Sequence, residues 1–157
     1  MTAAQWLHRA AVRRKGGLMP LENGEHLHSS AFLRRFEAMP DVKKAELVEG
    51  TVYMASLVRA ELHGKPDSLI QLWLGTFAAA REGIGTYTNT TLILDDENSL
   101  QPDAMLCSAP ARGGRMWLNA GGYLCGSPEL VCEVAVSTTS LDLHQKLRAY
   151  CRNGVSE

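Results

Sequence analysis

The sequence predicts one α/β domain, a mixed central sheet flanked by helices. Three observations carry this expectation. Residues 128–137 form a near-continuous apolar, β-branched run, the pattern of a strand covered on both faces. A helix pattern follows at once, with Leu143, Leu147 and Tyr150 at helical spacing and Asp142, Lys146 and Arg148 between them. Helix-period and β-rich stretches also interleave along the whole chain, which suits helices packed on a sheet. At 157 residues, one core can bury roughly 70% of the unfolded surface.

The elements follow in order. Residues 1–21 hold no acid but carry Arg9, Arg13, Arg14 and Lys15, so a basic arm is expected over 1–28 and the folded domain over 29–157. Ser29 and Ser30 resemble an N-cap, and Phe32, Leu33, Phe36 and Met39 then mark a helix over 30–39, stopped by Pro40. Two short apolar runs flank Glu49-Gly50, a tight hairpin signal. Pro66 opens a helix over 66–81, with Leu69, Leu72, Trp73, Phe77 and Ala80 as its apolar face. Residues 86–88 and 90–94 are β-rich, 95–99 form an acidic turn, and 100–107 form the next strand, with Pro102 at its start or on an edge. The Gly-rich stretch 109–127, with Arg112, Arg115 and Trp117, reads as a long irregular connection. A last helix is expected over 141–152, capped by Gly154, with Val155 opening a further strand.

Composition narrows the function. A net charge of −1 argues against a strong nonspecific nucleic-acid binder, yet permits a local phosphate grip. No apolar run approaches the roughly 20 residues of a membrane span. The four cysteines form no CxxC pair, Cys107 and Cys132 read as small buried hydrophobes, and a reducing, cytoplasmic setting follows. No GxSxG, P-loop, GxGxxG or HExxH pattern is present, which leaves serine or cysteine nucleophile chemistry unsupported.

Three acids sit within apolar, strand-like sequence: Glu46, Asp103 and Glu133. A lone buried carboxylate is costly unless neutralised. Three that converge repel one another unless a cation lies among them. Oxygen-only ligands, without cysteine or paired-histidine spacing, suit Mg²⁺ or Mn²⁺. Lys146 can orient a metal-activated water or offset charge on a phosphate. Each acid taken alone reads first as the partner of a nearby Arg or Lys, and Lys146 taken alone as part of a solvated helix face. His63 is a cap, a core histidine or a site-lining residue; His26, His28 and His144 read as surface histidines.

These motifs, in their order, resemble a known family. Glu46-Leu-Val-Glu-Gly50, His63, Gln101-Pro-Asp103, Pro128-Glu-Leu-Val-Cys-Glu133-Val, Asp142-Leu-His-Gln-Lys146 and Gly154-Val-x-Glu157 are similar to the Uma-two family, endonucleases of the PD-(D/E)xK superfamily. The resemblance covers about residues 32–157. It implies a restriction-endonuclease-like fold and Mg²⁺-dependent hydrolysis of nucleic-acid phosphodiesters, with DNA as the expected substrate and a homodimer as the expected assembly. By resemblance Asp103 and Glu133 are the metal ligands, the main-chain carbonyl of Val134 a third, and Glu46 the first acid, with Glu49 as the fallback. The superfamily's simplest pattern puts its lysine two residues after Glu133, where this chain has Ala135; Lys146 on the next helix takes its place. The family's usual continuation beyond Gly-Val-x-Glu is not in this sequence, so the final strands are expected to be lacking. The alternative is a catalytically inactive nucleic-acid-binding or protein-interaction domain on the same fold.

Overall fold

The computed structural model describes residues 17–54, 59–135 and 141–157. The basic residues of the expected arm lie outside them. Residues 21–27, within the expected arm, run against the domain: Leu21 is buried, Gly24 N–H donates to Val52 O at 2.8 Å, and Val52 N–H donates to Glu25 O at 2.8 Å.

Helix α1, Ser29–Glu37, matches the predicted span within two residues. Ser29 does not cap it. Its side chain is buried, with Oγ 2.5 Å from Ser99 Oγ. Strands β1 (Ala45–Val48) and β2 (Thr51–Met54) form the expected hairpin. Glu49 and Gly50 both have positive φ, 50° and 71°, the backbone that a two-residue primed turn demands. A π-helical turn, Ala60–Gly64, leads into helix α2, Lys65–Ala79. Then come β3 (Ile84–Thr88), β4 (Leu92–Asp95), β5 (Asn98–Leu100) and β6 (Ala104–Ser108).

The Gly-rich stretch 109–127 is not an irregular connection. It folds into β7 (Arg115–Leu118) and β8 (Leu124–Ser127), an antiparallel pair. Gly126 makes the pairing possible: at φ 92°, an added Cβ would lie 2.2 Å from Arg115 O. The acidic turn is also shorter than expected. Asn98 and Ser99 are fully buried in β5, and Asn98 Oδ1 accepts from Glu49 N–H at 3.0 Å.

β9, Leu130–Cys132, is only three residues long, half-buried, and at an edge. Glu133 therefore lies just past the strand rather than in its middle. The ladder stops because Val134 gives its N–H to Asp103 Oδ2, at 2.8 Å, instead of to a neighbouring strand. A second π-helical turn, Leu141–Lys146, and helix α3, Leu147–Arg152, complete the order. Gly154, at φ 78°, closes the end of α3 as expected. Residue 157 pairs its backbone with Glu129 and Val131, but residues 155–157 form no strand, so the strand signal at Val155 is not fulfilled.

The strands form two sheets. One has the order β2-β1-β5-β4-β8-β7 and is mixed, with β4 and β8 parallel; the other is the antiparallel β3-β6-β9. The mixed sheet flanked by helices is the architecture expected of a restriction-endonuclease-like domain. β1 is its keel, buried at all four positions. Leu47 packs on one face with Phe32, Ala45 and Val52; Val48 packs on the other with Leu92, Leu100, Met105 and Tyr150. Strand alternation puts Glu46 on the Val48 face.

Two helices present faces the sequence did not predict. In α2 only Leu74 is fully buried, while the expected apolar face, Leu69, Leu72, Trp73 and Phe77, points to solvent. In the last helical segment Lys146, Ala149 and Tyr150 turn inward, while Leu143 and Leu147 stay exposed.

Candidate active site

Glu46, Asp103, Glu133 and Lys146 come together from four separate segments. Glu46 projects from β1 and is buried, with Oε1 accepting the N–H of Gln101 at 2.8 Å. Asp103 stands just before β6, with a side chain 4% exposed. Gln101 and Pro102, also buried, aim it inward; Gln101 Nε2 donates to Thr91 Oγ1 at 2.9 Å. Glu133 leaves the end of β9 directly beside Asp103, because the Val134–Asp103 bond joins the two segments.

Lys146 bridges two of the acids. Its Nζ lies 2.9 Å from Glu46 Oε2 and 3.1 Å from Glu133 Oε1, and its side chain is 3% exposed. This is a buried ammonium, not a solvated helix face. Tyr150, one turn further on, donates its hydroxyl to Glu133 Oε1 at 2.7 Å. Burial pushes the Glu133 carboxyl up to about 7; Lys146 and Tyr150 pull it down, and the charges of Glu46 and Asp103 raise it. The acids therefore feel one another's charge across the site.

His63 lines the same site. Its Nδ1 is 3.0 Å from Val134 O, and its Nε2 is 3.7 Å from Asp103 Oδ1. With Nδ1 carrying the proton, His63 donates to that carbonyl. Both π-helical turns deliver a residue here, His63 from the first and Lys146 from the second. Such turns shift a side chain off the regular helical register and recur at functional sites. Glu49 is elsewhere. It sits in the β1–β2 turn, 30% exposed, held by Arg152 at 2.8 Å.

Two participants were not singled out in the sequence. Lys44 Nζ lies 3.2 Å from Asp103 Oδ1, so this acid also has an ammonium beside it. Its signal was strand phase: Lys44 is two residues before Glu46 and shares its face. Gln71, on α2, donates to Asp103 O at 2.8 Å and ties that helix to the site.

The matching family model is described as "Uma2: Putative restriction endonuclease" and covers residues 32–157. The chain belongs to the Uma2 family. No match is found among curated proteins. The family description makes a nucleic-acid substrate the working frame for this site. Among the described residues, no helix is long and apolar enough to cross a membrane.

A divalent cation can be tested against this Uma2 site through its donors. Asp103, Glu133, Glu46 and the Val134 carbonyl are all hard oxygens, the type that Mg²⁺ and Mn²⁺ prefer. Glu133 is raised chiefly by burial and in smaller part by the charges of Glu46 and Asp103, and a cation would offset both. Among the described residues no three His, Cys, Asp or Glu side chains are already arranged to hold an ion. Lysine ammoniums stand at the carboxylates instead: Lys44 at Asp103, and Lys146 between Glu46 and Glu133. The donor chemistry fits, and the two ammoniums offset the same carboxylate charge in the structure described.

Proposed function

We propose that this Uma2 chain is a metal-dependent endonuclease that hydrolyses phosphodiester bonds, with DNA as its substrate and the cytoplasm as its setting. The observation that carries the reading is the meeting of Glu46, Asp103, Glu133 and Lys146, drawn from four separate segments, in one buried cluster. Acids and lysines serving stability alone would sit as well in separate surface pairs, as Glu49 and Arg152 do.

In this reading Asp103, Glu133 and the Val134 carbonyl hold Mg²⁺ or Mn²⁺, and Glu46 supports them. An ion held there would supply Lewis acidity towards water and offset charge on the phosphate. Lys146 orients the attacking water and stabilises charge that grows on the phosphoryl oxygens. Lys44, 29% exposed and so nearer solvent, is placed to meet a non-bridging phosphate oxygen once its carboxylate partner is engaged. Tyr150 and His63 position the ligand atoms: the first fixes Glu133, the second the Val134 carbonyl. The water's oxygen bonds to phosphorus, the bond to one bridging oxygen breaks, and a proton passes to the leaving oxygen.

Plasmid nicking with Mn²⁺ tests the proposal, using wild type and Asp103→Ala. Wild type is expected to relax supercoiled plasmid and Asp103→Ala to leave it intact. DNA binding by the wild type without metal-dependent cleavage would instead favour the inactive binding domain.

A further inference from the structure

We propose that the outer face of the β7 ribbon is a grip for single-stranded nucleic acid, in which Arg112 and Arg115 hold phosphates and the Trp117 ring stacks on a base. The proposal rests on the nucleic-acid frame of the Uma2 family and adds a contact away from the carboxylate cluster. β7 lies at one edge of the six-stranded sheet. Strand alternation puts Arg115 and Trp117 on one face, while Met116 between them turns into the core that holds Val48 and Tyr150. The stripe is therefore on the opposite face of the sheet from Glu46. Arg112 ends the short helical turn Pro110–Arg112 that leads into β7. Three residues along the chain separate the two arginines, so their Cα atoms lie at most about 11 Å apart, close enough to meet two phosphates of one strand. Trp117 is 60% exposed, and both arginines are exposed as well. Two glycines seat these side chains. A Cβ on Gly83 would lie 2.8 Å from Arg112 Cδ and Nε, and one on Gly126 would lie 2.7 Å from Trp117 Cζ3. Arg112 and Trp117 thus rest on bare backbone, which limits their freedom beforehand and lowers the cost of ordering them on a ligand.

Charge and ring together select the occupant. Residues 104–128 hold Arg112 and Arg115 and no acid. Among the described residues neither guanidinium has a carboxylate partner, whereas Arg35 and Arg152 are paired with Glu25 and Glu49. Arg115 reaches only a hydroxyl, Ser156 Oγ, at 3.4 Å. The next acid along the chain, Glu129, accepts the Ser108 N–H at 2.7 Å. Unpaired guanidiniums beside an open indole are the means by which a single strand is bound: cations follow its backbone, and rings stack on its unpaired bases. A duplex keeps its bases in their own stack, so it can use the arginines but not the ring. The stripe is the local phosphate grip that a net charge of −1 permits.

Fluorescence anisotropy of a labelled oligothymidylate of about twelve nucleotides, read with the full chain in EDTA, tests the proposal. Trp117→Ala is expected to weaken binding about tenfold, and Trp117→Phe to stay within about threefold of wild type because it keeps a stacking ring. Arg112→Gln combined with Arg115→Gln is expected to weaken binding and to reduce the slope of log affinity against log salt by about 1.4, at roughly 0.7 per phosphate. Trp73→Ala, at a tryptophan 59% exposed on α2, should leave binding unchanged. All these side chains are exposed, so each variant's circular dichroism and melting temperature are expected to match wild type. Oligouridylate in place of oligothymidylate tells RNA from DNA, and the stripe serves whichever binds more tightly. A wild type that binds neither would overturn the proposal. So would a Trp117→Ala chain that binds like wild type, an unchanged salt slope in the arginine variant, or a blunt duplex that binds more tightly than the single strand. EDTA makes the result independent of cleavage: an inactive chain leaves this grip standing, and a lost grip leaves Asp103-dependent nicking to be judged on its own.

Discussion

Replacing Lys146 with Met should destabilise the metal-free protein by about 3–5 kcal/mol at pH 8, the loss typical when one partner of a buried ion pair is removed. Lys146, Glu46 and Glu133 have side chains only 3%, 9% and 14% exposed, so water cannot replace the ammonium. Glu46 keeps the Gln101 N–H and Glu133 keeps the Tyr150 hydroxyl, which limits the loss without removing it. The loss should depend on pH. Glu133 has its folded pKa raised from 4.5 to about 7, chiefly by burial, and without Lys146 it rises further. At pH 5 the folded variant then holds Glu133 neutral, and the loss should shrink to about 2 kcal/mol, the worth of a hydrogen bond to a charged group. Urea denaturation followed by tryptophan fluorescence at both pH values measures this; at pH 8 the matching fall in melting temperature is roughly 6–20 °C. A variant within about 1 kcal/mol of wild type at pH 8 would refute the view that Lys146 neutralises buried carboxylates. An equal loss at the two pH values would refute desolvation of Glu133 as its origin.

Other outcomes follow from the same contacts. Metal-free wild type should lose stability as pH rises from 4.5 to about 7, because across that window the folded state holds a Glu133 proton that the unfolded chain has released; chemical denaturation at half-unit steps reads the slope. Mn²⁺ at a hundred times its dissociation constant should stabilise wild type by about 2.7 kcal/mol and Asp103→Asn by far less, seen as thermal shift. Glu49→Gln should change stability by less than about 1 kcal/mol and leave any cleavage intact, since its partner Arg152 is half exposed; a cleavage defect would return Glu49 to the site. Phe32→Ala, at a fully buried ring stacked on Phe36 with centroids 5.7 Å apart, should cost about 3–5 kcal/mol in urea denaturation.

Much of the molecule was legible where local chemistry decides. Glu49-Gly50 announced a primed turn, and helix breakers set the ends of α1 and α2 within two residues. Glu46, Asp103 and Glu133 stood out because charge inside apolar sequence demands a partner, and His63 and Lys146 join them in space. Periodicity failed where tertiary partners overrode it. Helical spacing makes Leu143, Leu147 and Tyr150 one face, yet two buried carboxylates draw Lys146 inward and leave the leucines outside. In α2 the same rule found the right stripe and the wrong side, since a sequence cannot say whether an apolar face meets its own sheet or something else. The β7–β8 pair was hidden by glycines that read as loop, one of which is needed for close backbone approach. Lys44 was hidden because a Lys43-Lys44 pair looks like surface.

The short β9 strand has a consequence for solubility. Leu130-Val131-Cys132 is an apolar sheet edge, the kind of ribbon that recruits a foreign strand. The chain shields it in two ways: residue 157 shares backbone bonds with Glu129 and Val131, and just beyond the strand Val134 spends its N–H on Asp103 and its carbonyl on His63. Trimming residues 155–157 would strip the first shield and favour fibrous or amorphous clumping, while the carboxylate and imidazole would still cap the strand's far end. One aspartate thus both joins the buried carboxylate cluster and ends the ladder of the edge strand.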